Sequence, residues 1–164
     1  MFCSINELDK FSYDDCVINS FKVLDNSITL ELEALVVKAN NSQNSNYTES
    51  YADVTVMRLV DAKIERIILA GYKVYDADDN LLEEIPDKEI EADGYDEIIS
   101  KLSGAYLYRV LQMDKIGDKE IYDFEIEFES GEQMQDLRND TYVLSIAMSK
   151  SEVSWDRYLN RVQH

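Results

Sequence analysis

The sequence predicts a mainly β protein of the α+β class, folded as an antiparallel β-sandwich or partly open barrel of about seven to eight strands. Polar and apolar residues alternate with a period of two in several runs, and short turns rich in Asp and Asn separate those runs. Strand follows strand with few helical stretches, which argues against a parallel sheet of alternating units. Two stretches, near residues 93–103 and 152–162, have the spacing of a helix.

The first hairpin is predicted over residues 17–34. Apolar residues occupy the even positions from 28 to 34 and polar residues the odd positions between them, as a strand with one dry face requires. Asp25, Asn26 and Ser27 are typical turn residues, so the stretch before them is expected to be the partner strand. After this hairpin, residues 40–46 are polar and low in complexity, and we expect an exposed loop, serving either recognition or merely as a tolerated insertion.

The middle of the chain is rich in β-branched and aromatic residues. Residues 51–60 and 63–75 are predicted to be two strands joined at 61–62. A turn over residues 76–80 leads into a short strand at Leu81 and Leu82, which Pro86 ends because proline cannot donate to a ladder.

Two amphipathic helices frame the last strands. Tyr95, Ile98, Ile99 and Leu102 form one apolar stripe, with Asp93 and Gly104 as start and stop residues, which predicts a helix over 93–103. Strands are expected over 105–113, 121–129 and 140–150. A second stripe predicts a C-terminal helix near 152–162 and comprises Trp155, Tyr158, Leu159 and Val162.

The length of 164 residues fits a single domain over 1–164. The 16 basic and 34 acidic residues give a net charge of −18. This charge argues against nucleic acid and against anionic membrane surfaces as partners. The start of the chain lacks the basic and apolar regions of a secretory signal, so we expect a cytoplasmic protein with Cys3 and Cys16 as free thiols. Its oligomeric state is not indicated.

Most catalytic apparatus is missing from the sequence. His164, the last residue, is the single histidine, so a Ser-His-Asp or Cys-His site would need its base at a chain end. Two cysteines and that histidine are not spaced as zinc ligands. The five glycines are scattered singly, and no phosphate-binding loop can be written from them.

One pattern resembles a cation site. Asp76, Asp78 and Asn80 place oxygen ligands at alternate positions of a turn, as Ca²⁺ loops do. The glycine that such a loop needs is replaced by Leu81, however. Since Asp and Asn are also the usual residues of a plain β-turn, the turn is the favoured interpretation, with Ca²⁺ binding as the alternative.

A second pattern concerns the acidic residues. Asp123, Glu125, Glu127 and Glu129 alternate with large apolar residues, which predicts a strand with carboxylates along one face. Such a face is either a solvated surface, a guarded sheet edge or a docking surface for a basic protein.

The favoured function is therefore a non-enzymatic binding or interaction module, with an inhibitor or immunity-type protein for a basic toxin or nuclease as its sharpest version. The alternative from a different class is a β-barrel or sandwich that holds a small ligand or a cation, with hydrolase chemistry performed by a pair of carboxylates.

Overall fold

A computed structural model describes residues 1–128 and 140–161, with side chains up to residue 159. Within these residues the chain is mainly β, with sixteen strands in antiparallel sheets. One α-helix, α1, spans Tyr95–Ser100, and short 3-10 helices span Leu8–Lys10 and Ala92–Gly94. The strands are β1 Phe2–Ile5, β2 Phe11–Ser12, β3 Val17–Leu24, β4 Ser27–Glu33, β5 Val36–Val37, β6 Ser50–Ala52, β7 Thr55–Val60, β8 Lys63–Leu69, β9 Tyr72–Tyr75, β10 Leu81–Ile85, β11 Lys88–Glu89, β12 Tyr106–Ile116, β13 Lys119–Phe128, β14 Asp140–Met148, β15 Lys150–Trp155 and β16 Tyr158–Arg161.

A ten-stranded sheet dominates the described part of the chain, in the order β1-β15-β7-β4-β3-β12-β13-β14-β8-β11. Its two ends, β1 and β11, do not pair with each other, so the sheet is open and not a closed barrel. A four-stranded sheet has the order β16-β6-β5-β2, and among the described strands β9 pairs with β10 alone. The predicted class and antiparallel pairing are confirmed, whereas the strands are more numerous than expected.

The large sheet consists of two five-stranded halves that meet between β3 and β12. One cross-strand pair, Val17 with Tyr106, forms this join. The backbone N–H of Ile18 donates to Ala105 at 2.8 Å, and that of Leu107 donates to Cys16 at 3.0 Å. Further along, β3 and β12 separate, and each continues with its own hairpin partner.

Side chains from both sheets share one hydrophobic core. Leu30 and Met57 come from the first half of the large sheet, Phe124 and Leu144 from the second, and Val37 from the small sheet. Each of these five side chains is inaccessible to solvent. The core therefore joins both halves and the small sheet into one apolar interior.

Helices play a minor part in the described residues, and none of them is long and apolar enough to cross a membrane. The predicted helix over 93–103 is present as α1, preceded by a 3-10 turn that takes in Asp93. Gly94, not Asp93, is the N-cap residue. Ile98 and Leu102 are buried as the apolar stripe requires.

The predicted C-terminal helix near 152–162 is wrong as far as residue 161, because β15 and β16 occupy that stretch; Val162 lies outside the described residues. Ser151, Val153 and Trp155 are buried at every second position. This period of two, realised by pairing of β15 with both β1 and β7, prevails over the helical spacing.

Two predicted strands are each divided. The stretch 51–60 breaks at Asp53 and Val54, and its parts, β6 and β7, belong to different sheets. The stretch 63–75 breaks before Tyr72, where the chain leaves the large sheet as the hairpin of β9 and β10. We call this hairpin, residues 72–85, the arm.

The polar loop 40–46 is only partly exposed, contrary to the sequence-based expectation. Asn41 and Asn44 are buried. The Asn44 amide donates to the carbonyls of Val37, Lys38 and Thr48 at 2.9 to 3.2 Å. Asparagine thus supplies the donors that this tight stretch of backbone requires, and the loop is fixed to the body of the protein.

Beneath this loop lies a buried carboxylate. Glu7 accepts hydrogen bonds from the Ser4 and Ser42 hydroxyls and from the Ser42 backbone N–H, and the Lys10 ammonium is 3.3 Å away. Burial alone would raise the Glu7 pKa, but these hydrogen bonds and Lys10 outweigh it and hold the pKa below its ordinary value. The charged form of Glu7 is therefore the one that the fold stabilises.

The base of the arm is closed around Gly71. Its backbone N–H donates to the Asp87 carboxylate at 2.6 Å. A Cβ atom at this position would lie 2.1 Å from the Ile85 carbonyl oxygen and 2.5 Å from the Pro86 carbonyl carbon. No side chain fits there, so glycine permits the close crossing of the two chain segments.

We predict that Gly71→Ala lowers the free energy of unfolding by about 2 kcal/mol, because rigid backbone atoms must move to admit the methyl group. Urea denaturation measures the change. Gly94→Ala is the matched control, since its nearest neighbour is a side-chain methyl group of Ile90 at 3.1 Å, which can rotate away. Equal destabilisation by both variants would contradict this account of the crossing.

Glu7→Gln is expected to lower the free energy of unfolding by about 2 kcal/mol at neutral pH, since it removes a buried charge that accepts several hydrogen bonds. Because the folded pKa is depressed, Glu7 stabilises the fold above the ordinary pKa of glutamate, and this contribution is lost as pH falls through the folded pKa. The difference between variant and wild type should therefore shrink below about pH 4. Denaturation curves recorded from neutral to acidic pH, with the exposed Glu89→Gln as control, test this; a difference independent of pH would contradict it.

Candidate functional site

The acidic face predicted from the sequence is one side of β13. Tyr122, Phe124 and Ile126 are buried in the core, and the alternate residues Asp123 and Glu125 face away from it, partly exposed. The strand has this form because its apolar residues recur with a period of two. Glu127 continues the same face, while Glu129 lies outside the described residues.

β13 lies in the interior of the large sheet, between β12 and β14. Its backbone groups are used on both sides, with an unbroken register against β14 from Glu120 to Phe128. The carboxylates therefore do not guard a sheet edge. They are fixed on a rigid central strand, which leaves a solvated face or a docking surface as their role.

Glu125 is paired within the sheet. Arg109 of β12 lies opposite it, and the Arg109 guanidinium donates to the Glu125 carboxylate. The pKa of Arg109 is raised by this hydrogen bond and by the charge of Glu125. Burial and the same carboxylate raise the pKa of the neighbouring Tyr108 hydroxyl. Glu125 thus has its own counter-ion and contributes little to the outward field.

Asp123 lies beside a groove on the outer face of the sheet. Its carboxylate accepts a hydrogen bond from the Ser145 hydroxyl of β14 at 2.6 Å, which fixes its position. The groove encloses about 330 Å³. We call it the acidic groove, and it is lined by Glu65, Arg66, Met113, Asp114, Ile121, Asp123 and Ser145.

The charge of the acidic groove is negative. Three of its lining residues are acidic and one, Arg66, is basic. Met113 and Ile121 add apolar surface, and Leu111 is also exposed on the same strand as Met113. Carboxylates beside apolar side chains suit the side chain of Lys or Arg, whose aliphatic stem packs while its head is neutralised.

Sequence reasoning identified Asp123 but not Glu65 or Asp114. These two residues come from β8 and β12, which the sheet order brings to the two flanks of β13 and β14. Glu65 reaches the groove through the pairing of β8 with the distant β14, for which a single sequence carries no local signal. Asp114 lies on the hairpin partner of β13, one residue beyond the predicted end of that strand.

The Asp76 pattern forms a closed turn at the tip of the arm. The Asp76 carboxylate accepts hydrogen bonds from the backbone N–H groups of Asp78 and Asn80, both at 2.9 Å, and from the Asn80 amide at 3.2 Å. The hydrogen bonds from Asn80, partly offset by burial, lower the Asp76 pKa. These contacts are those of a turn in which Asp replaces a backbone acceptor.

Two further acids near this turn in the sequence contact other groups. Glu84 lies 3.7 Å from the Lys73 ammonium, and Asp87 accepts the Gly71 N–H. In the stretch of chain described, no group of three or more His, Cys, Asp or Glu side chains is placed to hold a metal ion. The Ca²⁺ site at Asp76, Asp78 and Asn80 stays a prediction, and the geometry favours the plain turn.

Comparison of the chain with protein-family models, with curated proteins and with solved structures gives no match. The functional assignment therefore depends on the geometry of the chain itself.

We expect neither Ca²⁺ nor EDTA to change the melting temperature, because the Asp76 oxygens already accept three hydrogen bonds within the turn. Thermal melting with each additive measures this, since a ligand that binds the folded state alone must raise the melting temperature. A rise with Ca²⁺ that disappears in Asp78→Asn would establish the cation site instead.

Proposed function

We propose that this chain is a non-enzymatic binding module that docks a basic protein, as an inhibitor or immunity-type protein of a basic toxin or nuclease would. The observation that carries the proposal is the acidic groove, in which Glu65, Asp114 and Asp123 share the lining with the apolar Met113 and Ile121. A cytoplasmic location belongs to the same proposal.

The groove is built on a rigid support. Asp123 is fixed by Ser145, and the strands beneath it are paired on both sides. A partner would thus meet the Asp123 charge already in place, so little side-chain entropy is lost there on binding. Rigid presentation of this kind supports a docking role for the groove.

The overall charge supports the same kind of partner. A net charge of −18 repels acidic proteins and accelerates encounter with basic ones. Once the partner is near, the groove supplies apolar contact in addition to charge, since Met113 and Leu111 are exposed beside it. Charge gives the encounter its rate, and the apolar side chains give the complex its lifetime.

The test is capture of the partner from cell extract at low and at high salt. We expect a basic protein to be retained at low salt and largely released at high salt, because exposed charges are screened. The double variant Glu65→Lys and Asp114→Lys should lose the partner at both salt concentrations. It is a cleaner test than a change at Glu125, which would also break the pair with Arg109.

Glu89→Lys with Glu91→Lys is the matched control, because it makes the same change in net charge at exposed positions outside the groove. This control should retain the partner. Equal loss from both double variants would show that bulk charge, and not the groove, attracts the protein. Failure to retain any basic protein would remove the proposal.

A further inference from the structure

A second cavity lies at a corner of the fold, away from the acidic groove. It occurs where the chain passes twice between the large and the small sheet, from β4 to β5 and from β6 to β7. We call it the corner cavity; it encloses about 430 Å³, within the range of small-molecule sites. The residues lining it include Glu33, Ala34, Tyr51, Asp53, Val54 and Leu159.

The shape of this corner is fixed by the backbone. Ala34 has a φ of 60°, in the left-handed region, and this turns the chain sharply at the end of β4. The two crossings are tied together by the Thr55 hydroxyl, which donates to the Leu32 carbonyl at 3.2 Å, and by the Ala52 N–H, which donates to the Leu35 carbonyl at 3.0 Å. The cavity is therefore a built feature of the chain path.

Its walls are apolar and incompletely covered. Val54 is 47% exposed and Leu159 is 53% exposed, although both lie beside a formed cavity. The Tyr51 ring adds an aromatic surface. An apolar ligand body in this place would remove these side chains from water, which is favourable in proportion to the area covered.

Two carboxylates give the cavity its charge. Glu33 and Asp53 are acidic, and none of the other lining residues is basic. The Asp53 side chain is only 21% exposed, and its Oδ1 accepts the Asp156 backbone N–H at 3.1 Å. Its Oδ2 lies 4.0 Å from the Arg157 guanidinium, which is itself 78% exposed. Asp53 is thus oriented, and the cation beside it is an exposed side chain that a ligand can replace.

We propose that the corner cavity binds an organic cation, an ammonium or guanidinium group on an aromatic or branched aliphatic body. The charged head meets Asp53 and Glu33, and the body covers Val54, Leu159 and the Tyr51 ring. Aromatic rings also attract cations through their negative faces. An anion is repelled by both carboxylates. The site goes beyond the proposed function, since it shares no residue with the acidic groove.

The probe is phenethylamine, with phenethyl alcohol and hydrocinnamate as neutral and anionic ligands of similar shape. Binding is followed by protein-observed NMR, with the melting temperature as a second readout. We expect phenethylamine to bind in the millimolar range with shifts at the corner residues, phenethyl alcohol to bind about tenfold more weakly, and hydrocinnamate not to bind.

Two substitutions with opposite expected effects on phenethylamine binding make the test more specific. Asp53→Asn should weaken phenethylamine binding about tenfold, because it removes the fixed charge. Arg157→Gln should strengthen binding several-fold, because it removes the competing guanidinium. Glu89→Gln, which removes one exposed acid on β11, should leave binding unchanged. Glu33→Gln provides the same test as Asp53→Asn if the latter fails to fold.

The proposal is overturned if phenethylamine does not bind, or if the alcohol binds equally well. It is also overturned if Glu89→Gln weakens binding as much as Asp53→Asn does, because the amine would then respond only to bulk charge. None of these results bears on the proposed docking function of the acidic groove, because that function is tested with Glu65 and Asp114.

Discussion

The whole architecture depends on the short join between β3 and β12, where one cross-strand pair, Val17 with Tyr106, connects the two halves of the large sheet. So little pairing suffices because the residues around it are fully buried, among them Cys16, Ile18 and Leu107. Burial raises the pKa of the Cys16 thiol to about 12, so this cysteine acts as a small apolar group in the join. The acidic groove belongs to one half of the sheet and the corner cavity to the other, with its small-sheet neighbours. A ligand can therefore occupy either surface without contacting the other.

The fold accommodates its many acidic side chains by keeping nearly all of the described ones at or near the surface. Among the described residues, Glu7 is the one acidic residue that is buried, and it has hydrogen-bond donors and Lys10 around it. The remaining described acids stay at or near the surface, where water screens their mutual repulsion. The chain thus carries a net charge of −18 without burying uncompensated charge. Glu7 also links the first residues of the chain to Ser42 in the polar loop, so its burial serves the fold directly.

Local patterns in the sequence predicted the β class, the hairpin of β3 and β4 and the alternation along β13, because a period of two is visible in the residues themselves. The C-terminal helix was wrong because Trp155, Tyr158 and Leu159 also have helical spacing, and only pairing with β1 and β7 decides between the two periods. The same limit applies to the sites. Asp123 stood out by its alternation, whereas Glu65 and Ser145 reach the acidic groove through the sheet order of β14 and β8. No local sequence pattern predicted the corner cavity, because Asp53 fell inside a predicted strand and no pattern indicates the left-handed backbone of Ala34.

The close crossing at Gly71 marks the point where the arm leaves the large sheet. Among the described strands, β9 and β10 pair only with each other, while β8 and β11 on the near side pair within the large sheet. The arm is therefore a separate two-stranded unit. Its tip offers a place to insert a peptide tag or attach a fluorophore, so that binding at the acidic groove or at the corner cavity can be followed without altering either one.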